Sequence, residues 1–305
     1  MARRDHSMYI FSRQWNSYSR VPGRCYHSFM TLPVLPSSSI VSAATLLRHY
    51  DRALLHWLRH YGDENDIGVG VAIVHPELPR IAETNTLLDA IVPAEASGEA
   101  TMAQIDAAFG RLEASCARIV LNPDSAGTLP AEFSDLLLGR GYVKDTVQVL
   151  ALGQAPGGLK QTYEGLTIIP ARASFRHATQ LAQEMIGGEA AQAAQSLQLH
   201  LDDSHYDALI ALGDGKAVAF AGVLAAGEVG LLRQLYVSPQ HRHRGIGTVM
   251  LARALDICQR SAFRHVMAGV AVGNEPLLHL LTRNGFSRIG QITVFRRPDD
   301  VMGEL

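Results

Sequence analysis

The hexapeptide from Arg242 to Gly247 constrains the fold of this chain more than any other segment. It follows a strand-like run from Val229 to Val237 and a break at Ser238-Pro239, and it precedes a helix-like run from Thr248 to about Ser261. Glycine lets a backbone approach a phosphate closely, and the N–H groups in the first turn of a helix have no intrahelical partner. The helix dipole adds positive charge at the same point. The pattern therefore predicts a cradle for a pyrophosphate between a strand and a helix.

The composition of the 305-residue chain is typical of a globular protein, with 47% apolar and 18% charged residues. A formal net charge of −2 gives no reason to expect nucleic acid as a partner. Three cysteines without a CxxC motif fit a reduced cytoplasmic protein better than a disulfide scaffold. No apolar run approaches the roughly 18 residues that a membrane helix needs. We therefore expect a cytoplasmic protein without a membrane partner.

Residues 1–40 differ from the rest of the chain. They contain five arginines and a single acid, Asp5, and they end in Pro33, Pro36 and a run of serines. This composition is found in transit peptides, although the apolar region of a secretory signal is absent. We favour a simpler interpretation. The segment is either a disordered extension or the result of a start codon assigned upstream of a true start at Met30.

A second motif follows the cradle. It consists of Asn274 to Leu277 and then Leu280 to Phe286, which ends in Gly-Phe. Together with Leu235 to Pro239 and the cradle, this motif resembles the acetyl-CoA motifs of the GNAT superfamily of N-acetyltransferases. The resemblance covers roughly Leu166 to Arg297.

The resemblance implies that acetyl-CoA is the co-substrate. The backbone from Leu235 to Val237 would pair with the pantetheine arm like an added strand, and the Val237 amide would face the oxyanion. The cradle amides would hold the pyrophosphate, with the cations of the same loop beside it; a solvated loop is the alternative for those cations. The expected cofactor-binding residues are Leu235, Tyr236, Val237, Arg242, His243, Arg244, Gly245, Ile246, Gly247, Thr248 and Asn274.

The residues that move protons are less well defined. Acetyl transfer to an amine needs a neutral amine, a stabilised oxyanion and a proton for the departing thiolate. Many members of the superfamily carry a tyrosine proton donor where this chain has Leu281, which cannot donate and which we expect in the core. His279, Tyr236 and water are the candidate donors. Glu228, in a predicted turn, is the candidate base, and a solvated turn acid is the alternative.

The chain divides into two halves that end alike. The segment from Leu137 to Tyr142 lines up with Leu281 to Phe286, and an alternating strand follows each. The first half has no R-x-x-G-x-G turn, so it cannot cradle a pyrophosphate in that way. We expect an N-terminal extension, a degenerate GNAT-like domain, a linker and an acetyl-CoA-binding domain, at residues 1–40, 45–152, 153–165 and 166–297.

The predicted fold is mixed α/β, or α+β, with two GNAT-like units that each contain a mostly antiparallel central sheet flanked by helices. Apolar spacing predicts an amphipathic helix from Thr45 to Tyr61, with His49, His56 and His60 on its polar face. His56 and His60 have the i,i+4 spacing of metal ligands, but no carboxylate or cysteine is spaced to complete a site. We therefore expect a solvated face and no metal.

These observations predict an N-acetyltransferase that moves an acetyl group from acetyl-CoA to an amine on a small molecule or peptide. A sensor or regulatory protein that binds acetyl-CoA with little turnover is the alternative, because Leu281 stands at the tyrosine position and the first half lacks a cradle. A purely structural module leaves the cradle glycines unexplained. The oligomeric state is not indicated by the sequence.

Overall fold

The structure is a computed structural model, and it describes residues 41–78, 81, 83–124, 130–153, 159, 162–186 and 190–298. The predicted extension at residues 1–40, part of the predicted linker and residues 187–189 lie outside the described residues. The described residues belong to one compact unit.

Seven α-helices occur in the described part of the chain. The first begins after Ser42, whose hydroxyl accepts a hydrogen bond from Thr45 N, and it is prolonged by a 3-10 turn, Arg59–Tyr61. None of the described helices combines the length and the apolar character that a membrane crossing requires. The helices are α1 (Ala43–Leu58), α2 (Gly98–Arg111), α3 (Ala131–Gly139), α4 (Phe175–Ile186), α5 (Ala190–Leu201), α6 (Ile246–Arg260) and α7 (Glu275–Arg283).

The strands form a single sheet in the order β1-β2-β3-β4-β11-β5-β10-β9-β8-β7-β6. Within it, β3 pairs with β4 and β9 with β10 in parallel, and the other pairs are antiparallel. The prediction of a mixed α/β fold with a mostly antiparallel sheet flanked by helices is confirmed. The strands are β1 (Asn65–Asp66), β2 (Val71–Ile73), β3 (Thr86–Ala90), β4 (Arg118–Leu121), β5 (Val143–Leu152), β6 (Leu166–Pro170), β7 (Tyr206–Gly213), β8 (Lys216–Ala226), β9 (Val229–Val237), β10 (His265–Ala271) and β11 (Phe286–Arg296).

The two strands that follow the similar segments meet at the centre of this sheet. β5 and β11 pair antiparallel from Phe286 opposite Leu152 to Arg296 opposite Val143. β11 also pairs with β4, and β5 also pairs with β10, so the last strand of each half lies against the other half. The strands of the two predicted units are thus joined in one continuous sheet with an approximate two-fold arrangement. The boundaries of the two units stay a prediction.

Helices cover both faces of the sheet. One apolar cluster gathers α1, α4 and α5 on one face, and Trp57, Tyr206 and Phe220 are among its fully buried side chains. On the other face, α6 and α7 pack against the second half of the sheet and α2 and α3 against the first half. Both halves therefore share the core beneath α1.

The histidine face of α1 is only partly solvated, which corrects the expectation from the sequence. His49, His56 and His60 are all half-buried, and the His56 and His60 side chains are 31% and 13% exposed. The reason is tertiary: the connection between α5 and β7 packs over this face and brings Asp203 against both rings.

Candidate functional site

A cavity of about 780 Å³ lies where β9 ends, between α6 and α7. Ten of the sequence-predicted residues line it: Leu235, Val237, Arg242, His243, Gly245, Ile246, Gly247, Thr248, Asn274 and His279. His241, one of the loop cations expected beside the phosphates, also lines it. Five residues of the second motif line it as well, although the sequence analysis assigned them no role: Pro276, Leu277, Leu280, Arg283 and Asn284.

The cavity opens because two parallel strands separate. The pairing of β9 with β10 ends at Leu232 opposite Ala268. Two residues later Gln234 adopts a φ of 57°, and the register of β8 against β9 shifts at this point. Since Ser238 N donates to Val218 O on β8, the alternation along the strand turns the Val237 amide away from β8, toward the gap. An extended ligand can therefore lie along Leu235 to Val237.

The cradle forms at the start of α6. Gly245 is the N-cap residue with a φ of 83°, a left-handed conformation that favours glycine, and His243 precedes it at 61°. α6 has no side-chain cap, whereas Ser97 caps α2 in the first half. The first-turn amides of α6 are therefore left to an external acceptor beside the cavity. In the first half, the hydroxyl of Ser97 accepts a hydrogen bond from Ala100 N at the start of α2.

Gly247 lies in the first turn of α6, and an added Cβ there would meet Leu280 Cδ2 at 3.4 Å and Val237 Cγ2 at 3.7 Å. These are ordinary van der Waals distances, so the backbone tolerates a methyl group. Leu280 and Val237 both line the cavity, so any larger side chain at this position projects into it. The glycine keeps the pocket open rather than satisfying a backbone requirement.

Cationic side chains surround the cradle. Arg242 Nε donates to Val237 O at 2.9 Å, and its guanidinium lies 5.7 Å from the centre of the Tyr236 ring. Arg242 thereby ties the loop to the end of β9 while it brings positive charge to the rim. Arg244 is exposed and does not line the cavity, so the structure does not bring it to the predicted site.

The side chain of Tyr236 lies on the opposite face of β9 from Leu235 and Val237. Its ring is buried, and its hydroxyl donates to Glu184 Oε2 on α4 at 3.5 Å. Ser238 Oγ donates to the same carboxylate oxygen at 2.6 Å. The phenol of Tyr236 is therefore not at the cavity, and only its backbone remains a candidate contact. Glu184 escaped the sequence analysis because it occupies an ordinary polar position of an amphipathic helix.

The other candidate catalytic residues differ in whether they reach the cavity. Glu228 is 60% exposed in the turn before β9 and pairs with Arg264 at 3.5 Å. It precedes Leu235 by about 23 Å of strand at ~3.3 Å per residue, so it does not reach the cavity. His279 does line the cavity, with Arg283 Nη1 3.5 Å from its Nε2. Leu281 is 1% exposed in the core, as expected.

Residues 173–286 match the sequence model of the Acetyltransferase (GNAT) family. The similarity to this family concerns this segment of the chain. The match includes the cradle, the separated end of β9 and the helix that carries His279. The matched family is one of acetyltransferases, whose general activity is acyl transfer.

Two solved structures show the same fold over most of the chain. A GCN5-related N-acetyltransferase from Kribbella flavida has 18% identity and a TM-score of 0.56, over 85% of this chain and 97% of that one. A functionally unknown conserved protein from Staphylococcus epidermidis has 12% identity and a TM-score of 0.58, over 79% of this chain and 95% of that one. No curated protein sequence matches the chain. At these identities the likeness concerns the fold alone.

Proposed function

We propose that the cavity binds acetyl-CoA and that the protein transfers its acetyl group to an amine. The observation that carries this proposal is the uncapped start of α6, which faces the same cavity as the separated end of β9. The pyrophosphate lies on the amides from Gly245 to Thr248, with Arg242 and His243 adding positive charge. Asn274, which caps α7 through its Oδ1, contributes to the wall of the cavity.

The strand end positions the reacting thioester. The pantetheine arm extends along Leu235 to Val237, and the Val237 amide points into the gap where the thioester carbonyl arrives. When the amine attacks the carbonyl carbon, negative charge develops on the carbonyl oxygen, and this N–H donates to it. A donor that is already oriented stabilises the tetrahedral intermediate without rearrangement of the site.

We assign the proton transfers to two side chains. Collapse of the intermediate breaks the C–S bond, and His279 on α7, one of three histidines that line the cavity, protonates the thiolate. The attacking amine must lose a proton, and Glu184 contacts the pocket end of β9 through Ser238. We assign the role of the base to Glu184 in place of Glu228. Its carboxylate attracts the ammonium form of the amine and accepts the proton through water.

The alternative, an acetyl-CoA-binding sensor, is favoured by one observation. The Tyr236 phenol faces α4 and Leu281 is buried, so among the described residues no tyrosine side chain lines the cavity. A sensor would bind acetyl-CoA as tightly as an enzyme and release no CoA when amines are added.

We also propose a supporting role for the first half, residues 45–152, and a cytoplasmic location. The first half lacks a cradle, yet β5 is embedded beside β10, so it holds the second half of the sheet in shape. Cys116 and Cys258 are free and buried, which agrees with a reducing compartment.

The test is amine-dependent release of CoA, followed with a thiol reagent over small amines, aminoglycosides and peptides. Gly247→Val is the reference expected to be inactive, because its side chain projects into the cavity beside the first-turn amides of α6. Gly110→Val is the matched control, since Gly110 lies in α2 with no atom within 4 Å of an added Cβ. Release above the Gly247→Val level supports the enzyme. Acetyl-CoA binding without release for any amine supports the sensor.

A further inference from the structure

Three histidines and one aspartate converge at the junction of the two halves. α1 carries His56, and the 3-10 turn that follows it carries His60. The connection between α5 and β7 carries Asp203 and His205. We call these four residues the His–Asp cluster. Its members come from segments 143 positions apart, so no local spacing reveals it.

The imidazoles surround the carboxylate at short range. His60 Nε2 lies 2.7 Å and His56 Nε2 lies 3.6 Å from Asp203 Oδ2. His205 Nδ1 lies 2.9 Å from Asp203 Oδ1. The ligand atoms of His56, Asp203 and His205 all lie within 4.8 Å of one another. In a tetrahedral zinc site with bonds of about 2.0–2.1 Å, ligand atoms are about 3.3 Å apart, so small side-chain rotations bring the ligand atoms of these three residues to that spacing.

His60 is oriented as a metal ligand is. His60 Nδ1 lies 2.9 Å from the carbonyl oxygen of Trp57, which can only accept a hydrogen bond. Nδ1 therefore donates to this carbonyl, and Nε2 is the nitrogen that faces the carboxylate of Asp203. A ligating histidine whose other nitrogen donates to a backbone carbonyl is the usual second-shell arrangement of metal sites.

The surroundings hold the cluster in place. Trp57, whose carbonyl orients His60, is fully buried and stacks on the ring of His200 at 3.4 Å. Asp203 Oδ1 also accepts the backbone N–H of His205 at 2.9 Å, which fixes the carboxylate. The His205 ring is 61% exposed, so it provides the path by which an ion enters.

We propose that the His–Asp cluster is a structural zinc site, with His56, His60, Asp203 and His205 as its four ligands. Nitrogen and carboxylate donors without thiolate suit Zn²⁺, and four protein ligands leave no open position for chemistry. The ion joins α1 of the first half to the α5–β7 connection of the second half. It acts on stability, and the acetyl-CoA cavity shares no residue with it.

The experiment uses the untagged full chain, stripped with a chelator and titrated with Zn²⁺ alone against a competing chelating dye. We expect one zinc ion per chain. His205→Ala is the informative variant, since its exposed ring can be removed without unfolding the protein. Even second-shell changes weaken metal binding about 10–100-fold, so loss of this ligand should weaken it by at least about 100-fold. Asp203→Asn should weaken it similarly.

His49→Ala is the matched control. His49 lies on the same helix, and its ring centroid is 5.5 Å from that of the His265 ring. The His49→Ala variant should bind zinc like the unaltered chain. Co²⁺ loaded in place of Zn²⁺ should show the intense visible bands of tetrahedral coordination, and these should vanish in His205→Ala. The proposal is overturned if the folded chain binds no stoichiometric zinc, or if His205→Ala binds zinc and cobalt unchanged.

Discussion

Among the described residues, Glu83 is the one ion-pair partner of two buried arginines, and its replacement by glutamine should unfold the protein at a markedly lower temperature. Its Oε1 accepts from Arg233 Nη2 at 2.6 Å and lies 3.6 Å from Arg118 Nη1, while its Oε2 accepts from Trp57 Nε1 at 2.8 Å. The Arg118 and Arg233 side chains are 2% and 4% exposed. Arg118 belongs to the first half of the sheet and Arg233 to the second, so the carboxylate stabilises both halves at once.

The magnitude follows from this burial. Burial alone would raise the pKa of Glu83, but Arg233 and Arg118 outweigh it and hold that pKa below its usual range, so the group is ionised. Glu83→Gln keeps the shape and removes the charge, which leaves two guanidinium groups buried without an anion. Breaking a buried pair in this way costs about 3–5 kcal/mol. For a chain of this size, at ~2 °C per kcal/mol, the melting temperature should fall by about 6–10 °C.

The assay is thermal denaturation of both proteins by calorimetry and circular dichroism. Glu228→Gln is the matched control, because it breaks an exposed pair with Arg264 and should change stability by less than about 1 kcal/mol. A depressed carboxyl pKa contributes stability that is present above the unfolded value and lost as the pH falls. The difference in melting temperature between Glu83→Gln and the unaltered protein should therefore become smaller below about pH 4. A melting temperature within about 2 °C of the unaltered protein at neutral pH would refute the reasoning.

Three further predictions concern single residues. Burial, with a smaller effect of Asp89, raises the pKa of Asp51 to about 7. The folded state then keeps a proton that the unfolded state releases above about pH 4, so the free energy of unfolding falls as the pH rises toward 7. In urea titrations, Asp51→Asn should be more stable than the unaltered protein by up to about 4 kcal/mol near pH 8 and equally stable near pH 4. Glu184→Gln should lower kcat for amines about 100-fold, with acetyl-CoA affinity unchanged in calorimetry; an unchanged kcat would remove Glu184 from proton transfer. Leu281→Tyr, which places a phenol in the core, should lower stability by about 1–3 kcal/mol without raising turnover; faster CoA release would show that the phenol reaches the cavity.

The cradle could be predicted from the sequence because its signal is local. Strand, glycine turn and helix follow one another along Val229 to Arg260, and the residues that line the cavity come from two short segments, 235–248 and 274–284. The sequence indicated that the two halves end in similar segments, each followed by a strand, but not that these strands, β5 and β11, pair with each other. The position of each strand against the other half depends on long-range strand pairing, which no local periodicity encodes.

The features that the sequence analysis missed are tertiary. β3 escaped notice because its five residues do not alternate: four of them are buried, and Asp89 interrupts the strand with a φ of 57°. His60 was predicted on a solvated face because the partner that covers it, Asp203, lies on a connection in the other half. Glu228 was chosen as a base from its place before a central strand, yet it lies at the opposite end of that strand from the cavity.

Calorimetric titration of the purified protein with acetyl-CoA tests the central claim most directly. The uncapped start of α6 and the separated end of β9 predict one site per chain with a Kd in the micromolar range, about −8 kcal/mol. Gly247→Val should show no binding heat, and Gly110→Val should bind like the unaltered protein. Absence of binding by the folded unaltered protein, or equal affinity in folded Gly247→Val, would contradict the assignment of this cavity to acetyl-CoA.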